Sequence, residues 1–130
     1  MFDKVDYWLD LCEDDLITAK ALLEKNRLLH MGFVCHLIIE KAFKATIAKN
    51  TNEIPPRIHD LQRLATFGGV FDDLSELQLS VLDKLTPLQI QARYPEYKTK
   101  IMATLTTEYC KQLLDETEDL LCWIKKQLEN

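Results

Sequence analysis

Residues 33–44 read Phe-Val-Cys-His-Leu-Ile-Ile-Glu-Lys-Ala-Phe-Lys, and this stretch decides the fold. Its apolar residues recur at helical spacing and cover roughly half of the circumference at 3.6 residues per turn. They are Val34, Cys35, Ile38, Ile39, Ala42, Phe43 and, just beyond the stretch, Ala45. An apolar face of this width predicts a central helix that packs against several neighbours.

The other side of the same helix carries His36, Glu40 and Lys44, each four residues from the next, with Lys41 beside them. Residues four apart are neighbours on a helix surface, so these side chains form a polar ladder. One interpretation is a solvated face, whose Glu40–Lys44 pair contributes ~0.2–0.5 kcal/mol. The other is a polar seam at a subunit contact or in a ligand cleft.

The rest of the chain predicts an all-α protein. It has 130 residues, the length of one domain (1–130), with only three glycines and four prolines and no long alternating strand pattern. We expect an antiparallel up-and-down bundle of about four main helices plus a short one. The predicted helices run from about Asp3 to Lys25, Leu28 to Lys49, Arg57 to Gly68, Asp73 to Leu85, and Thr106 or Thr107 onward.

Local signals set several of these boundaries. Asn26 tolerates the left-handed backbone of a helix end. Asp73, with Glu76 three residues later, resembles a capping box. Pro95 pushes Tyr94 towards an extended backbone, which predicts irregular structure from Gln91 to Tyr97.

Composition excludes several classes of function. The net charge of −5 argues against strong nucleic-acid binding, although a small nucleotide or a basic partner needs only a local patch. The four cysteines form no Cys-x-x-Cys pair and fall in helical stretches, which predicts buried free thiols. No metal spacing, phosphate loop or cofactor motif occurs. With no apolar run long enough for a membrane span, we expect a cytoplasmic protein without membrane contact.

Two short segments carry candidate binding residues. His59-Asp60, close behind Arg57, either caps a helix or lies at a helix start that binds an anion. Arg93-Tyr94 either grips a phosphate and stacks a base, or closes one end of the bundle with its apolar parts.

Four segments, in order along the chain, resemble the HEPN family. Glu40-Lys41-Ala42-Phe43-Lys44-Ala45 resembles its second-helix signature, and Asp15-Leu16 with Ala19, Leu22 and Leu23 resembles its first helix. The other two segments are Pro55-Pro56-Arg57-Ile58-His59-Asp60-Leu61 with Leu64, and Ala92-Arg93-Tyr94-Pro95. His36-Leu37 replaces the family's Gln-Gln pair, and Ile38 replaces a family Ala.

The resemblance also implies a function. The ribonuclease branch of the family has an Arg followed a few positions later by a His near the last helix, whereas no His follows Arg93 here. The chain therefore resembles the small HEPN protein that is paired with a minimal nucleotidyltransferase. We expect a non-catalytic, nucleotide- or substrate-binding partner in a toxin–antitoxin-type two-component system. The alternatives are a divergent HEPN ribonuclease toxin and a purely structural interaction module.

The family resemblance and the wide apolar face of the second helix together predict a homodimer. The residues expected to bind an anion or nucleotide are Glu40, Lys44, Arg57, His59, Arg93 and Tyr94. Their cations and aromatic ring suit phosphate and base in a chain that is otherwise acidic. No residue is assigned a catalytic or metal-binding role.

Overall fold

A computed structural model describes residues 3–89 and 95–129, with the side chains of 95–97 left aside. Its α-helices are α1 (Lys4–Glu24), α2 (Leu28–Thr51), α3 (Leu61–Phe67), α4 (Glu76–Leu85), α5 (Pro95–Thr104) and α6 (Thr107–Leu128). Two 3-10 turns, Phe71–Asp73 and Thr86–Leu88, flank α4. No strand occurs in the part of the chain that the structure describes, so the all-α prediction is confirmed.

The first two helices form an antiparallel hairpin with a very short link. The Asp3 side chain caps α1 by accepting hydrogen bonds from the backbone N–H groups of Val5 and Asp6. The chain then turns at Asn26, whose φ of 58° is the left-handed conformation predicted from its residue type. Three residues thus separate the two helices, and α1 folds back along α2.

Helix α6 lies antiparallel to α1 and completes a three-helix layer. Its start meets the end of α1 through the Thr107 hydroxyl, which is 3.3 Å from Asn26 Oδ1. Further along, Lys20 pairs with Glu118 at 3.3 Å, and Lys125 near the end of α6 pairs with Glu13. The Thr106 side chain caps the helix by accepting from Tyr109 N–H, which confirms the predicted start.

Helix α2 is the centre of the core, as its apolar pattern predicts. Met31, Ile38, Ile39 and Phe43 are fully buried, and the helix packs against α1, α3, α4 and α6. The wide apolar face of α2 is therefore covered by other helices of the same chain. The width of this face no longer argues for a homodimer, and the dimer stays an expectation from the family resemblance.

The shorter helices depart from expectation at several points, since α3 begins at Leu61 rather than near Arg57 and α5 is an additional helix. Helix α4 is capped by Ser75, whose side chain accepts from Gln78 N–H while Gln78 Oε1 accepts from Ser75 N–H. The predicted cap at Asp73 is wrong, because Asp73 already belongs to a 3-10 turn. Irregular structure is also wrong for residues 95–97, since Pro95 opens α5 and proline is tolerated in the first helical turn.

The end of α3 lies unusually close to α2. A side-chain carbon added at Gly68 would collide with the Thr46 hydroxyl, and Asn50 Nδ2 donates to the Gly68 carbonyl at 2.7 Å. This close approach fixes α3, and the segment that leads into it, against the second half of α2. None of the described helices has the length and apolar character needed to cross a membrane.

Replacing Phe43 with Ala should lower the free energy of unfolding by about 3–5 kcal/mol, because a fully buried ring leaves a cavity. Ile38→Ala should cost about 2–5 kcal/mol for the same reason. Ile17→Ala is the control, since Ile17 is 68% exposed and should change stability by only about 0.5 kcal/mol. Urea titration measures all three, and a loss at Phe43 below about 1 kcal/mol would contradict this position of the helix face.

Candidate functional site

The polar ladder of α2 is buried. His36 is 1% exposed, Glu40 4% and Lys44 9%, so the interpretation as a solvated face is wrong. The side chains of α1 and the segment before α3 cover this side of the helix, which is why its polar residues share the burial of the apolar ones. Charged groups are rarely buried unless they are paired, so each partner needs to be identified.

Glu40 has a partner on each carboxylate oxygen. Oε2 accepts a hydrogen bond from Lys44 Nζ at 3.1 Å, one helical turn further on. Oε1 lies 3.0 Å from Nδ1 of His59, which comes from the segment before α3. We call His36, Glu40, Lys44 and His59 the Glu40 cluster. It satisfies the buried carboxylate from two separate parts of the chain.

Trp8 adds an aromatic ring that the sequence interpretation missed. Lys44 Nζ lies 5.6 Å from the centre of this ring, a cation–π arrangement, and Tyr7 packs edge-on against the ring at 5.3 Å. The sequence does hold a signal for it. Trp8 and Lys44 are equally far from Asn26 (26 − 8 = 44 − 26), so an antiparallel hairpin turning there places them opposite each other.

His59 connects the cluster to the surface. Its side chain is 52% exposed although Nδ1 is held by the buried Glu40. The next residue, Asp60, is the cap of α3 and accepts from Arg63 N–H at 3.1 Å. The capping interpretation is thus confirmed for Asp60, whereas His59 turns inwards to Glu40.

His36 is the deepest member of the cluster and is neutral. Burial lowers its pKa from 6.5 to about 4; the charge of Glu40 opposes this shift, His59 adds to it, and a hydrogen bond to the His59 backbone opposes it. Its Nδ1 lies 3.6 Å from Glu40 Oε1 and has no hydrogen-bond partner among the described residues. A neutral ring at that distance does not form an ion pair, so the described counter-charge to Glu40 is Lys44, and His59 adds a hydrogen bond.

The structure brings together only some of the six residues predicted to bind a ligand. Glu40, Lys44 and His59 are brought together. Arg57 is exposed two residues before His59, and its side chain has no hydrogen bond or ion pair to any described residue. Arg93 and Tyr94 lie outside the described residues. Lys41 is turned away from the cluster and pairs with Asp15 of α1 at 2.6 Å.

Metal and thiol chemistry find little support in the described residues. Within residues 3–89 and 98–129, no group of His, Cys, Asp and Glu side chains could hold a metal ion. Cys12, Cys35 and Cys110 are buried free thiols as predicted, whereas Cys122 is exposed. Burial raises the pKa of Cys12 and of Cys35 to about 12, which keeps these two sulfurs protonated and unreactive.

The stability of the fold should fall as the pH drops below 6.5. A histidine whose pKa is lower in the folded state takes up its proton first in the unfolded chain, so its stabilisation is complete above pH 6.5 and lost towards pH 4. At 1.36 kcal/mol per pKa unit, His36 contributes a loss of roughly 2–3 kcal/mol over this range. Urea titrations from pH 7 to 4 of the wild type and of His36→Gln measure it. Equal pH slopes in the two proteins would contradict a buried neutral His36.

The HEPN domain model matches residues 5–127, and this match includes every described α-helix except the first residue of α1 and the last residue of α6. The comparisons with curated proteins and with solved structures gave no match. The all-helical fold agrees with the helical fold of that family. Since the match covers far more than half of the chain, the protein belongs to the HEPN domain family.

Proposed function

We propose that this HEPN protein is a non-catalytic partner of a minimal nucleotidyltransferase, in a toxin–antitoxin-type two-component system, and that it binds a nucleotide beside the Glu40 cluster. The observation that carries the proposal is the buried Glu40 carboxylate, held between His59 and Lys44, whose ammonium group lies over the Trp8 ring. The pairing with a nucleotidyltransferase is taken from the resemblance of the four sequence segments.

The energy of the cluster supports a functional role. Burying an ion pair removes both charges from water, and an apolar pair of the same volume is often equally stable. The neighbouring buried residues of α2 are apolar, with Ile38, Ile39, Ala42 and Phe43 all fully buried. A carboxylate, an ammonium group and two imidazoles at this place are therefore better explained by what they hold or contact than by the stability they add.

The groups around the cluster suit a nucleotide. Trp8 and Tyr7 offer ring faces and edges to a base, while Arg57 and the half-exposed His59 offer donors to a phosphate. Glu40 holds His59 by Nδ1, which leaves the other ring nitrogen to face a ligand. In this arrangement the buried carboxylate positions the histidine, and the exposed groups make the contacts.

One observation favours the ribonuclease alternative. A histidine oriented by a buried carboxylate through Nδ1, with its ring half exposed, has the geometry of a general base. Against this alternative, the family's Arg-then-His motif near the last helix is missing, because no His follows Arg93. Binding and cleavage therefore need to be measured on the same protein.

Nucleotide affinity should fall at least about tenfold in His59→Ala and in Arg57→Ala, because each loses a charged or polar contact that contributes ~1.5–3 kcal/mol. Arg93→Ala tests a further predicted cation and should weaken binding in the same way. Arg63→Ala is the matched control, an exposed arginine on α3. Calorimetry with ATP measures the affinities of the wild type and of the four variants. No binding by the wild type, or equal affinity in His59→Ala and Arg63→Ala, would remove the Glu40 cluster from nucleotide binding.

RNA cleavage assays on the same preparations separate the two functions. The wild type should leave RNA intact, and so should every variant. Hydrolysis by the wild type that is lost in His59→Ala would replace the proposal with the ribonuclease alternative.

We propose that the protein is a homodimer, as the family resemblance implies. Light scattering at micromolar concentration should then give twice the chain mass of 15.2 kDa. A mass of 15.2 kDa would reject the dimer, and nucleotide binding is tested separately by the calorimetry above.

A further inference from the structure

A depression lies at the start of α2, lined by the link between α1 and α2, by α2 itself and by α5. It is open to solvent and has a volume of about 200 Å³. Asn26 and Arg27 line it from the link, Leu29 and His30 from α2, and Lys98 and Met102 from α5. His30 and Lys44 are 14 residues apart on one helix (44 − 30), which separates them by about 21 Å along its axis. The depression is thus distinct from the Glu40 cluster.

Nitrogen-bearing side chains line this depression, and no described carboxylate pairs with them. The side chains of Arg27, His30 and Lys98 form no hydrogen bond or ion pair with any described residue. None of the described residues that line the depression is an aspartate or a glutamate. Glu24 is the last residue of α1, and Glu108 lies in the first turn of α6 near Asn26. Neither carboxylate pairs with a side chain that lines the depression.

Several lysines elsewhere in this acidic chain are paired with carboxylates. Lys20 binds Glu118, Lys41 binds Asp15, and Lys84 binds Glu116. Arg27 and His30 are instead three residues apart at the start of α2, where such residues are neighbours, and Lys98 approaches them from α5. Cationic side chains such as Arg27 and Lys98, when they line a concave surface, focus a positive potential there. This potential raises the local concentration of anions.

We propose that this depression binds two or more linked phosphate groups, either as pyrophosphate or as the phosphate chain of a nucleoside polyphosphate. The planar fork of Arg27 donates two hydrogen bonds to one phosphate, and Lys98 supplies a point charge to the next. The ring N–H of His30 is a third donor. Leu29 and Met102, the latter 53% exposed, give an attached nucleoside an apolar surface.

Calorimetry with three probes tests the ligand class: sodium pyrophosphate, ATP and adenosine. Pyrophosphate and ATP should bind and compete with each other at this depression, and adenosine should not compete with pyrophosphate. Binding should weaken as the salt concentration rises, because exposed charges are screened. No binding of pyrophosphate by the wild type at millimolar concentration would overturn the proposal.

Variants then place the site. Arg27→Gln and Lys98→Gln should each raise the Kd for pyrophosphate at least tenfold. Lys111→Gln is the matched control, because Lys111 is an exposed lysine on α6 without a described partner, and it should leave the Kd within twofold. Equal Kd values in Arg27→Gln and Lys111→Gln would overturn the proposal.

Amide chemical-shift changes separate this proposal from the nucleotide site beside the Glu40 cluster. Pyrophosphate should shift the signals of residues 26–31 and 98–102, and His59→Ala should leave its Kd unchanged. If the shifts gather at Lys44 and His59 instead, this depression is rejected while the Glu40 cluster keeps its assigned role. If ATP shifts only residues 26–31 and 98–102, the Glu40 cluster loses that role and the present proposal stands.

Discussion

A carboxylate buried in the middle of a covered helix requires a partner on each oxygen, and the arrangement of this molecule depends on how Glu40 receives them. One partner, Lys44, comes from the same helix and is available as soon as α2 forms. The other, His59, comes from a different segment and arrives only when that segment docks. The burial of Glu40 therefore links the position of α2 to that of the chain before α3.

The docking of that segment rests on contacts outside the cluster. Gly68 at the end of α3 approaches Thr46 without a side chain, and Asn50 holds its carbonyl. Asp60 satisfies the start of the same short helix, one residue after His59. A seven-residue helix contributes little stability of its own, so these tertiary contacts hold it in place. The imidazole that faces solvent is thus positioned from both ends of α3.

Sequence reasoning predicts the parts of this fold that depend on local patterns. The stripe around Phe43, the turn at Asn26, the cap at Asp60 and the start of α6 each follow from residue type and spacing. The buried state of the ladder does not follow, because the spacing of His36, Glu40 and Lys44 is the same on a solvated face and inside a core. Burial is decided by what packs against a helix, which a single periodic stretch does not contain.

The remaining misses have similar physical causes. Asp73 and Ser75 are both good caps, and only the 3-10 turn at residues 71–73 excludes the first of them. Pro95 disfavours helix in the residue before it but is well suited to begin one, so the same residue supports two opposite predictions. Residue chemistry and the family resemblance together single out Glu40, Lys44 and His59, which the structure brings together. Trp8 required the pairing of α1 with α2, which is a tertiary fact.

The three-residue link at Asn26 sets how changes in chain length would affect this protein. With so short a turn, α1 and α2 hold a fixed register, and Trp8 meets Lys44 only because equal lengths of chain run from Asn26 to each of them. One residue inserted or deleted within either helix turns everything beyond it by about 100° around the helix axis. The ring and the ammonium group would then point to different sides. Natural variation in length should therefore collect between α2 and α3, where residues 52–60 join the helices without belonging to either.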